Sequence, residues 1–172
     1  ISNDLIEEFM LVCNETIAKT YFDKQLPFIF RVHEFPREEK FEQLQNFIGK
    51  YGYKIDVDYE HLSSKDFQKL LNSIKNRKEY LPISLMTLRT MQQARYKEFQ
   101  NKHFGLGADY YTHFTSPIRR YPDLMIHRII KEDLRGNISE YRKKDLEDIV
   151  RYVAKECSKK ERIADNIEEE YD

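Results

Sequence analysis

The 172-residue sequence has no tryptophan, only two cysteines, and five residues each of glycine and proline. Cys13 and Cys157 lie far apart, and neither has a second cysteine or a histidine at the spacing of a metal-binding or redox motif. Such usage is typical of a reducing compartment, so we expect a cytoplasmic protein. No apolar run is long enough to span a bilayer, and the first ten residues lack the basic start of a signal peptide. We therefore expect no membrane partner.

Net charge is nearly absent as well, because 29 basic residues balance 30 acidic ones. This balance excludes a protein that binds nucleic acid through overall positive charge, and any polyanion site must come from local sorting of charge. Residues 117–162 hold thirteen basic and nine acidic residues. Two interpretations of this segment stay open. It is a solvated surface of mixed charge, or it lines an RNA path through cations such as Arg142, Lys143, Lys144, Arg151 or Lys155.

Hydrophobic periodicity predicts an α+β chain that is predominantly helical. Helices are predicted over residues 2–24, 63–76, 82–99, 117–135 and 139–172, and a further helix starts at Pro36 and ends at Gly49 or Gly52. The aromatic and β-branched run at 28–32 predicts a strand, and a short β-like run is expected near 109–114. With no evident internal linker, residues 1–172 are expected to form a single domain. Because the chain opens within a helix, we expect this domain to be part of a larger unit.

The apolar positions of the first predicted helix recur at three- and four-residue steps. They predict a buried face made of Leu5, Phe9, Val12, Cys13, Ile17 and Tyr21.

The stretch HFTSPIRRYPD predicts the entrance to a helix, with Ser116 at the cap and Pro117 at the first helical position. This places Arg119 and Arg120 in the first turn. The helix dipole is positive there and disfavours cations. Two arginines at such a point indicate that an anion compensates them.

A phosphate site explains this arrangement. The first amide groups of a helix lack internal partners and bind anions. Thr115 and Ser116 add hydroxyl groups, and Arg119 and Arg120 add guanidinium forks that match phosphate oxygens. The alternative is structural, because either arginine can pair with Asp123 at a helical spacing of three or four residues.

The longer stretch HFGLGADYYTHFTSPIRRYPDLMIHR resembles the signature of the ribonuclease II / ribonuclease R family, whose catalytic domain is called RNB. The match has no gaps. Shorter stretches agree in the same order along the chain: LIEEFMLVCNE, LPFIFRVHE, LRTMQQARY and ERIADNIEEE. The resemblance covers essentially the whole sequence and implies the C-terminal portion of an RNB catalytic domain.

The resemblance implies a processive exoribonuclease that hydrolyses single-stranded RNA from the 3′ end, releases nucleoside 5′-monophosphates and uses Mg²⁺. It implies that Arg119 contacts the scissile phosphate and that Glu168 is a further active-site residue of the final helix. It also implies that Glu7 binds the terminal ribose and favours RNA over DNA. We expect Glu7 to lie with Asn14 on a polar stripe of the first helix that faces the substrate cavity. His113 lies beside the phosphate motif and is a candidate for RNA contact. The implied partners are single-stranded RNA, the remainder of the RNB domain and flanking OB-type RNA-binding domains.

The aspartate cluster that holds the family's metal ions has no counterpart in this sequence. The acidic stretch DVDYE at 56–60 lies in the wrong place relative to the motifs and is interpreted as a solvated loop. No histidine has zinc-like spacing with a cysteine or a second histidine. We therefore expect no metal site in this chain and no activity from the chain alone.

Three questions stay open at the level of sequence. The quoted motifs do not separate the ribonuclease II type from the ribonuclease R type, since duplex unwinding depends on other segments. A non-catalytic RNA- or phosphate-binding helical module is the second candidate function. A purely structural helical domain is the third. Spaced aspartates directly upstream would indicate the enzyme, whereas a different domain there would indicate the binding module.

Overall fold

The computed structural model describes residues 2–171 without the side chains of Ser2, Glu169 and Tyr171. Within this range helices predominate and two short strands pair, which confirms the α+β, predominantly helical prediction. The elements are α1 (Ser2–Asp23), β1 (Phe30–Val32), α2 (Glu38–Gly49), a 3₁₀ turn (Tyr59–His61), α3 (Ser64–Ile74), α4 (Tyr80–Thr90), β2 (Arg95–Lys97), α5 (Tyr121–Leu134) and α6 (Glu140–Tyr171).

The chain divides into two compact units. The first comprises Ile1–Val32, Arg95–Lys102 and Asp109–Asp172, and the second comprises His33–Ala94 and His103–Ala108. Most of the second unit, His33–Ala94, is therefore inserted between β1 and β2, and its remaining segment, His103–Ala108, follows β2.

The first unit is organised around an antiparallel pair of strands, in which Arg31 of β1 lies opposite Tyr96 of β2. Helices α1, α5 and α6 supply the remaining core, because their apolar stripes meet the strands' buried side chains. The fully buried members of this core include Ala18, Phe28, Ile126 and Leu146.

The second unit packs α2, α3 and α4 around buried aliphatic and aromatic side chains such as Leu44, Phe67 and Ile83. Helix α3 begins with a capping box, in which the backbone N–H of Ser63 donates to Asp66 Oδ2 at 3.0 Å. Hydrogen bonds from Ser63 hold the pKa of the Asp66 carboxyl below its usual value.

The helix predicted over 82–99 is wrong at both ends. Helix α4 begins at Tyr80 rather than Pro82 and ends at Thr90, and Arg95–Lys97 forms strand β2. Tyr96 is 5% exposed, whereas its neighbours on either side are half-buried, which is the alternation of a strand. The segment is extended because its hydrogen-bond partners lie on β1, far away in sequence. The short β-like run expected near 109–114 is irregular backbone, with one hydrogen bond from Arg31 N–H to the Tyr111 carbonyl at 2.9 Å.

The predicted buried face of α1 is correct in its second half and wrong in its first. Tyr21 is 3% exposed, but Leu5, Phe9 and Val12 are 56%, 65% and 58% exposed. Residues 3–10 are exposed, Leu11 and Cys13 are half-buried, and full burial along α1 begins at Asn14. Periodicity identifies a face of a helix but not how far along the helix that face is covered.

None of the helices described between residues 2 and 171 is both long and apolar enough to cross a bilayer.

Candidate functional site

The two arginines of the predicted phosphate motif lie before a helix, not within it. Helix α5 begins at Tyr121, and Arg120 is its N-terminal flanking residue with extended backbone angles of φ −123° and ψ 116°. A tight turn precedes it, in which the backbone N–H groups of Arg119 and Arg120 donate to the Ser116 carbonyl at 3.3 and 3.1 Å. The predicted start at Pro117, with Ser116 as cap, is therefore wrong.

The position of Pro122 explains the later start. A helix that began at Pro117 would place Pro122 in its interior, where the ring clashes with the carbonyl of Ile118 and one helical hydrogen bond is lost. A start at Tyr121 puts Pro122 in the first turn, where a missing N–H costs nothing. The arginines thus avoid the unfavourable position that the sequence suggested for them.

A buried carboxylate braces the turn. Asp123 is fully buried, and its Oδ1 accepts the Ser116 backbone N–H and an N–H of the Arg120 guanidinium, each at 2.8 Å. An acid in the first turn of α5 is also favoured by the helix dipole. Asp123 therefore fixes residues 116–120 against the N-terminus of α5.

The two arginines differ in their surroundings. The side chain of Arg120 is 19% exposed and paired with Asp123, which is the structural pairing at three-residue spacing. Arg119 is exposed, and its guanidinium forms no ion pair or hydrogen bond with any residue in the described part of the chain. Arg119 is therefore the guanidinium of this turn that is available to a ligand.

Three buried polar atoms in this region lack a hydrogen-bond partner among residues 2–171. They are Thr115 Oγ1, Arg120 Nε and Asp123 Oδ2. Buried polar atoms are nearly always satisfied, so these three atoms keep hydrogen-bonding capacity that no described residue uses.

His113 lies in an aromatic cluster next to the turn. Its Nδ1 is hydrogen-bonded to the Tyr96 hydroxyl at 2.9 Å, and the rings of Tyr96 and Tyr111 contact it edge-on. Burial raises the pKa of Tyr96 to about 12, so this phenol stays neutral at physiological pH. The position of the His113 ring is therefore set by its neighbours.

Asn14 is a positioning residue of this region that the sequence placed wrongly. We expected it on a polar stripe of α1 facing a cavity, but it is 3% exposed. Its Oδ1 accepts the Phe114 N–H at 3.0 Å, and its Nδ2 donates to the Tyr111 hydroxyl at 3.1 Å. Asn14 therefore anchors the segment that leads into the turn.

The structure joins some of the predicted site residues and leaves others apart. His113, Thr115, Ser116, Arg119 and Arg120 share one loop. Glu7 on α1 and Glu168 on α6 are exposed, and neither forms an ion pair or a hydrogen bond with another residue in the described range. Their assigned roles remain predictions.

An ion pair that we had not predicted lies over the ring of Tyr96. Arg31 Nη1 donates to Glu161 Oε2 at 2.6 Å, and its guanidinium lies 4.6 Å from the centre of the Tyr96 ring. The signal in the sequence was an arginine inside an otherwise apolar strand, since a charge at such a position needs a partner.

Metal ligation finds no support in these residues. Across residues 2–171, no three His, Cys, Asp or Glu side chains lie close enough together to hold a metal ion. The residues present therefore do not fit a Mg²⁺ site.

Comparison with known proteins links this geometry to one family. Residues 1–136 match the RNB domain family. Ribonuclease R 1 of Lactococcus lactis subsp. lactis (strain IL1403) is 41% identical over 170 residues, which cover 99% of this chain and 21% of that protein. Ribonuclease R of Aquifex aeolicus (strain VF5) is also 41% identical over 170 residues, covering 99% of this chain and 24% of that protein. The chain spans about a fifth to a quarter of the length of these curated relatives.

Solved structures agree. The apo form of Mycoplasma genitalium RNase R has a TM-score of 0.86 at 30% sequence identity, over 93% of this chain and 25% of that chain. The same enzyme in complex with ribose methylated single-stranded RNA has a TM-score of 0.84 at 31% identity, over 91% of this chain and 25% of that chain. The resemblance found in the sequence is confirmed at the level of family and fold.

Proposed function

Because the chain belongs to the RNB domain family, we propose that it forms the C-terminal portion of the catalytic domain of a 3′-to-5′ exoribonuclease. The enzyme hydrolyses single-stranded RNA processively and releases nucleoside 5′-monophosphates. The Lactococcus lactis and Aquifex aeolicus relatives are both named ribonuclease R, and the Mycoplasma genitalium enzyme binds single-stranded RNA in its complex. These findings support RNA as the substrate class.

The observation that carries this proposal is the isolation of Arg119 on a braced turn. Its guanidinium is exposed and unpaired in the described part of the chain, while Arg120 and Asp123 hold the backbone beneath it. A fixed guanidinium presents a planar fork of N–H donors that matches two phosphate oxygens. Such a donor stabilises charge that builds on a phosphate in the transition state without having to reorganise first.

The neighbouring residues have supporting roles in this proposal. Glu7 accepts a hydrogen bond from a ribose hydroxyl, since an ionised carboxylate is a pure acceptor. The loop hydroxyl groups of Thr115 and Ser116 and the His113 ring lie beside the phosphate. Glu168 contributes a further carboxylate from α6.

Magnesium ions, where the family uses them, stabilise charge on phosphate oxygens. The residues that the structure describes do not fit such a site. We propose that the ligands come from segments of the enzyme outside this chain, and that this chain supplies the phosphate and ribose contacts.

The direct test uses the full-length enzyme. This is the protein that contains this chain and the further segments that its ribonuclease R relatives have. It is incubated with single-stranded RNA labelled at the 5′ end. We expect a ladder that shortens from the 3′ end, with nucleoside 5′-monophosphates as the product seen by chromatography. Internal fragments, or shortening from the 5′ end, would contradict the proposal.

The same experiment separates this function from a non-catalytic module. A module that kept the anion site without the catalytic carboxylates binds labelled RNA but leaves its length unchanged. Binding without shortening in the enzyme that contains all segments would favour that second candidate.

A further inference from the structure

A basic cleft of about 580 Å³ lies between β2 and α6. Its lining includes one acidic residue, Glu98, and six cations: Arg95, Lys97, Arg151, Lys155, Lys159 and Arg162. The chain as a whole has slightly more acidic than basic residues. The cleft is therefore a strong local sorting of charge, which is the kind of polyanion site that a neutral protein requires.

The cations from α6 form a continuous stripe. Arg151, Lys155, Lys159 and Arg162 follow one another at steps of four, four and three residues, so they share one face of the helix. At 1.5 Å per residue the stripe is about 16 Å long. Like charges at this spacing repel one another and disfavour the helix. A polyanion bound along the stripe removes that repulsion.

Acidic neighbours do not neutralise the centre of the stripe. Within residues 2–171, Lys155, Lys159 and Arg162 form no ion pair. Glu161 comes directly before Arg162, but its carboxylate accepts the Arg31 guanidinium at 2.6 Å. Three cations of the stripe are therefore left without a carboxylate.

The wall of the cleft is held in place by α6 itself. Ser158 Oγ accepts the backbone N–H of Tyr96 at 2.8 Å, which fixes β2 against the helix. At the start of the stripe, Arg151 pairs with Asp148 at 3.1 Å and with Glu98 at 3.9 Å, so its charge is partly compensated. The cations that remain fully available lie further along α6.

Tyr96 connects the cleft to the segment that leads into the turn of Arg119. Tyr96 lines the cleft, and its hydroxyl group is hydrogen-bonded to His113 in the segment that leads into the turn. We propose that the cleft binds the phosphodiester backbone of single-stranded RNA upstream of the nucleotide at Arg119. This inference rests on the proposed function and adds a second RNA contact region to it. Contact through cations alone makes the cleft tolerant of sequence.

The test removes charge from the cleft and keeps the side-chain stems. A triple variant, Lys155→Gln, Lys159→Gln and Arg162→Gln, is made in the enzyme that contains this chain and the remaining segments of its relatives. The control triple, Lys78→Gln, Lys131→Gln and Arg135→Gln, removes the same charge from exposed positions that do not line the cleft. Both are compared with the parent for binding of fluorescein-labelled single-stranded RNA in EDTA at increasing salt, and for RNA degradation in Mg²⁺.

We expect the cleft triple to bind RNA about tenfold or more weakly at moderate salt, with the control triple close to the parent. Each lost phosphate contact lowers the slope of log affinity against log salt by about 0.7 for single strands, so three contacts lower it by about 2. Equal affinity and equal slope for the cleft triple and the parent would overturn the inference, as would equal losses in the two triples. Degradation of RNA by the parent tests the proposed function separately. If the parent degrades RNA, the proposed function stands whatever the cleft triple does. If the parent does not degrade RNA, the proposed function is wrong.

Discussion

Arg119 and Arg120 are adjacent in the chain, yet their guanidinium groups have opposite surroundings. Arg120 is paired with the fully buried carboxylate of Asp123 at 2.8 Å, whereas Arg119 is exposed and has no partner among the described residues. An arginine without an internal partner keeps all of its N–H donors for a ligand. We therefore propose that Arg120 braces the turn and that Arg119 contacts the scissile phosphate.

Replacing Arg119 should slow cleavage far more than it weakens RNA binding. One arginine among many phosphate contacts adds little affinity, but at the scissile phosphate it opposes charge that develops in the transition state. Loss of one such donor typically costs about 3 kcal/mol, or roughly a hundredfold in rate. The measurement compares Arg119→Ala with the parent in the full-length enzyme. It determines the single-turnover rate of cleavage and the equilibrium affinity for RNA.

Two further variants serve as controls for that measurement. Arg119→Lys should restore the rate in part, because an ammonium group cannot make the two-pronged contact. Arg120→Ala should lose less rate than Arg119→Ala but should lower stability, since it leaves the Asp123 carboxylate buried without its cation. A larger rate loss for Arg120→Ala, or equal losses of rate and binding for Arg119→Ala, would show that the assignment is wrong.

Glu7 is the second residue with a role of its own to test. Its carboxylate is exposed and unpaired in the described range. If it accepts a ribose hydroxyl, Glu7→Ala should reduce the preference for RNA over DNA by roughly tenfold or more, because a hydrogen bond to a charged group contributes about 1.5–3 kcal/mol. Competition between RNA and DNA oligonucleotides measures this preference. Glu8→Ala removes an adjacent exposed carboxylate and should leave the preference unchanged, and unaltered discrimination by Glu7→Ala would make Glu7 an ordinary surface residue.

At the scale of elements, the N-terminus of α5 determines the shape of the site. Asp123 Oδ1 accepts from both the Ser116 backbone and the Arg120 side chain, and the carboxylate lies in the favourable first turn of the helix. The helix start and the turn before it are therefore one hydrogen-bonded unit.

Disrupting this unit should lower the free energy of unfolding. Asp123→Ala leaves the partly buried Arg120 guanidinium without its anion, and breaking one partner of such a buried pair costs about 3 kcal/mol or more. Asp123→Asn keeps an acceptor oxygen and should cost less. Urea unfolding of both variants beside the parent measures the difference, and equal stability of Asp123→Ala and the parent would contradict the bracing role.

A second ion pair joins the end of α5 to the start of α6. The Nε and Nη2 groups of Arg142 donate to the two carboxylate oxygens of Glu132, each at 2.9 Å. These hydrogen bonds hold the pKa of the Glu132 carboxyl below its ordinary value of 4.5. Arg142 was one of our candidates for an RNA path, but its guanidinium is paired with Glu132 within the protein.

This pair gives stability a defined dependence on pH. A carboxyl group whose pKa is lower in the folded state stabilises the fold above its unfolded pKa of 4.5, and that contribution is lost as the pH falls through the folded pKa. Glu132→Gln should therefore destabilise the protein at neutral pH and lose that effect under acidic conditions. Since both groups are about one-third exposed, we expect less than about 1 kcal/mol. Urea unfolding from neutral to acidic pH measures the free energy of unfolding of parent and variant. A difference between the two that stayed constant with pH would contradict the contribution of this ion pair.

At the scale of the whole molecule, the chain spans about a fifth to a quarter of the length of its curated relatives. In the proposed reaction it supplies the phosphate contacts but not the metal ligands. It presents phosphate-binding side chains, while the part that the structure describes contains no group of three metal-ligating residues. Phosphodiester hydrolysis assisted by metal ions needs both parts in one cavity.

The chain alone should therefore not degrade RNA in Mg²⁺. A 5′-labelled single-stranded oligoribonucleotide incubated with the purified 172-residue chain should keep its length, whereas the enzyme with all segments should shorten it. EDTA should stop the latter reaction. Metal-dependent shortening from the 3′ end that stays with the chain through stringent purification would show that a metal site exists within it.

The sequence by itself determined the family, the helical character and most of the helices. The gap-free motif across residues 103–128 identified the family, and apolar periodicity over many turns predicted α6 and the second half of α1. Both are local properties, since they depend on which residues share a helical face. The start of α5 also lay within reach, because Pro122 excludes a helix that begins five residues earlier.

The tertiary structure alone decided which distant residues meet. Strand β2 exists because it pairs with β1, and Arg31 reaches Glu161 across 130 residues of sequence. Asn14 became a buried anchor rather than a surface residue because the segment after Tyr111 packs against α1. Spacing along the chain specifies faces within one element, but contacts between elements follow from how those faces pack in the core, which no local pattern encodes.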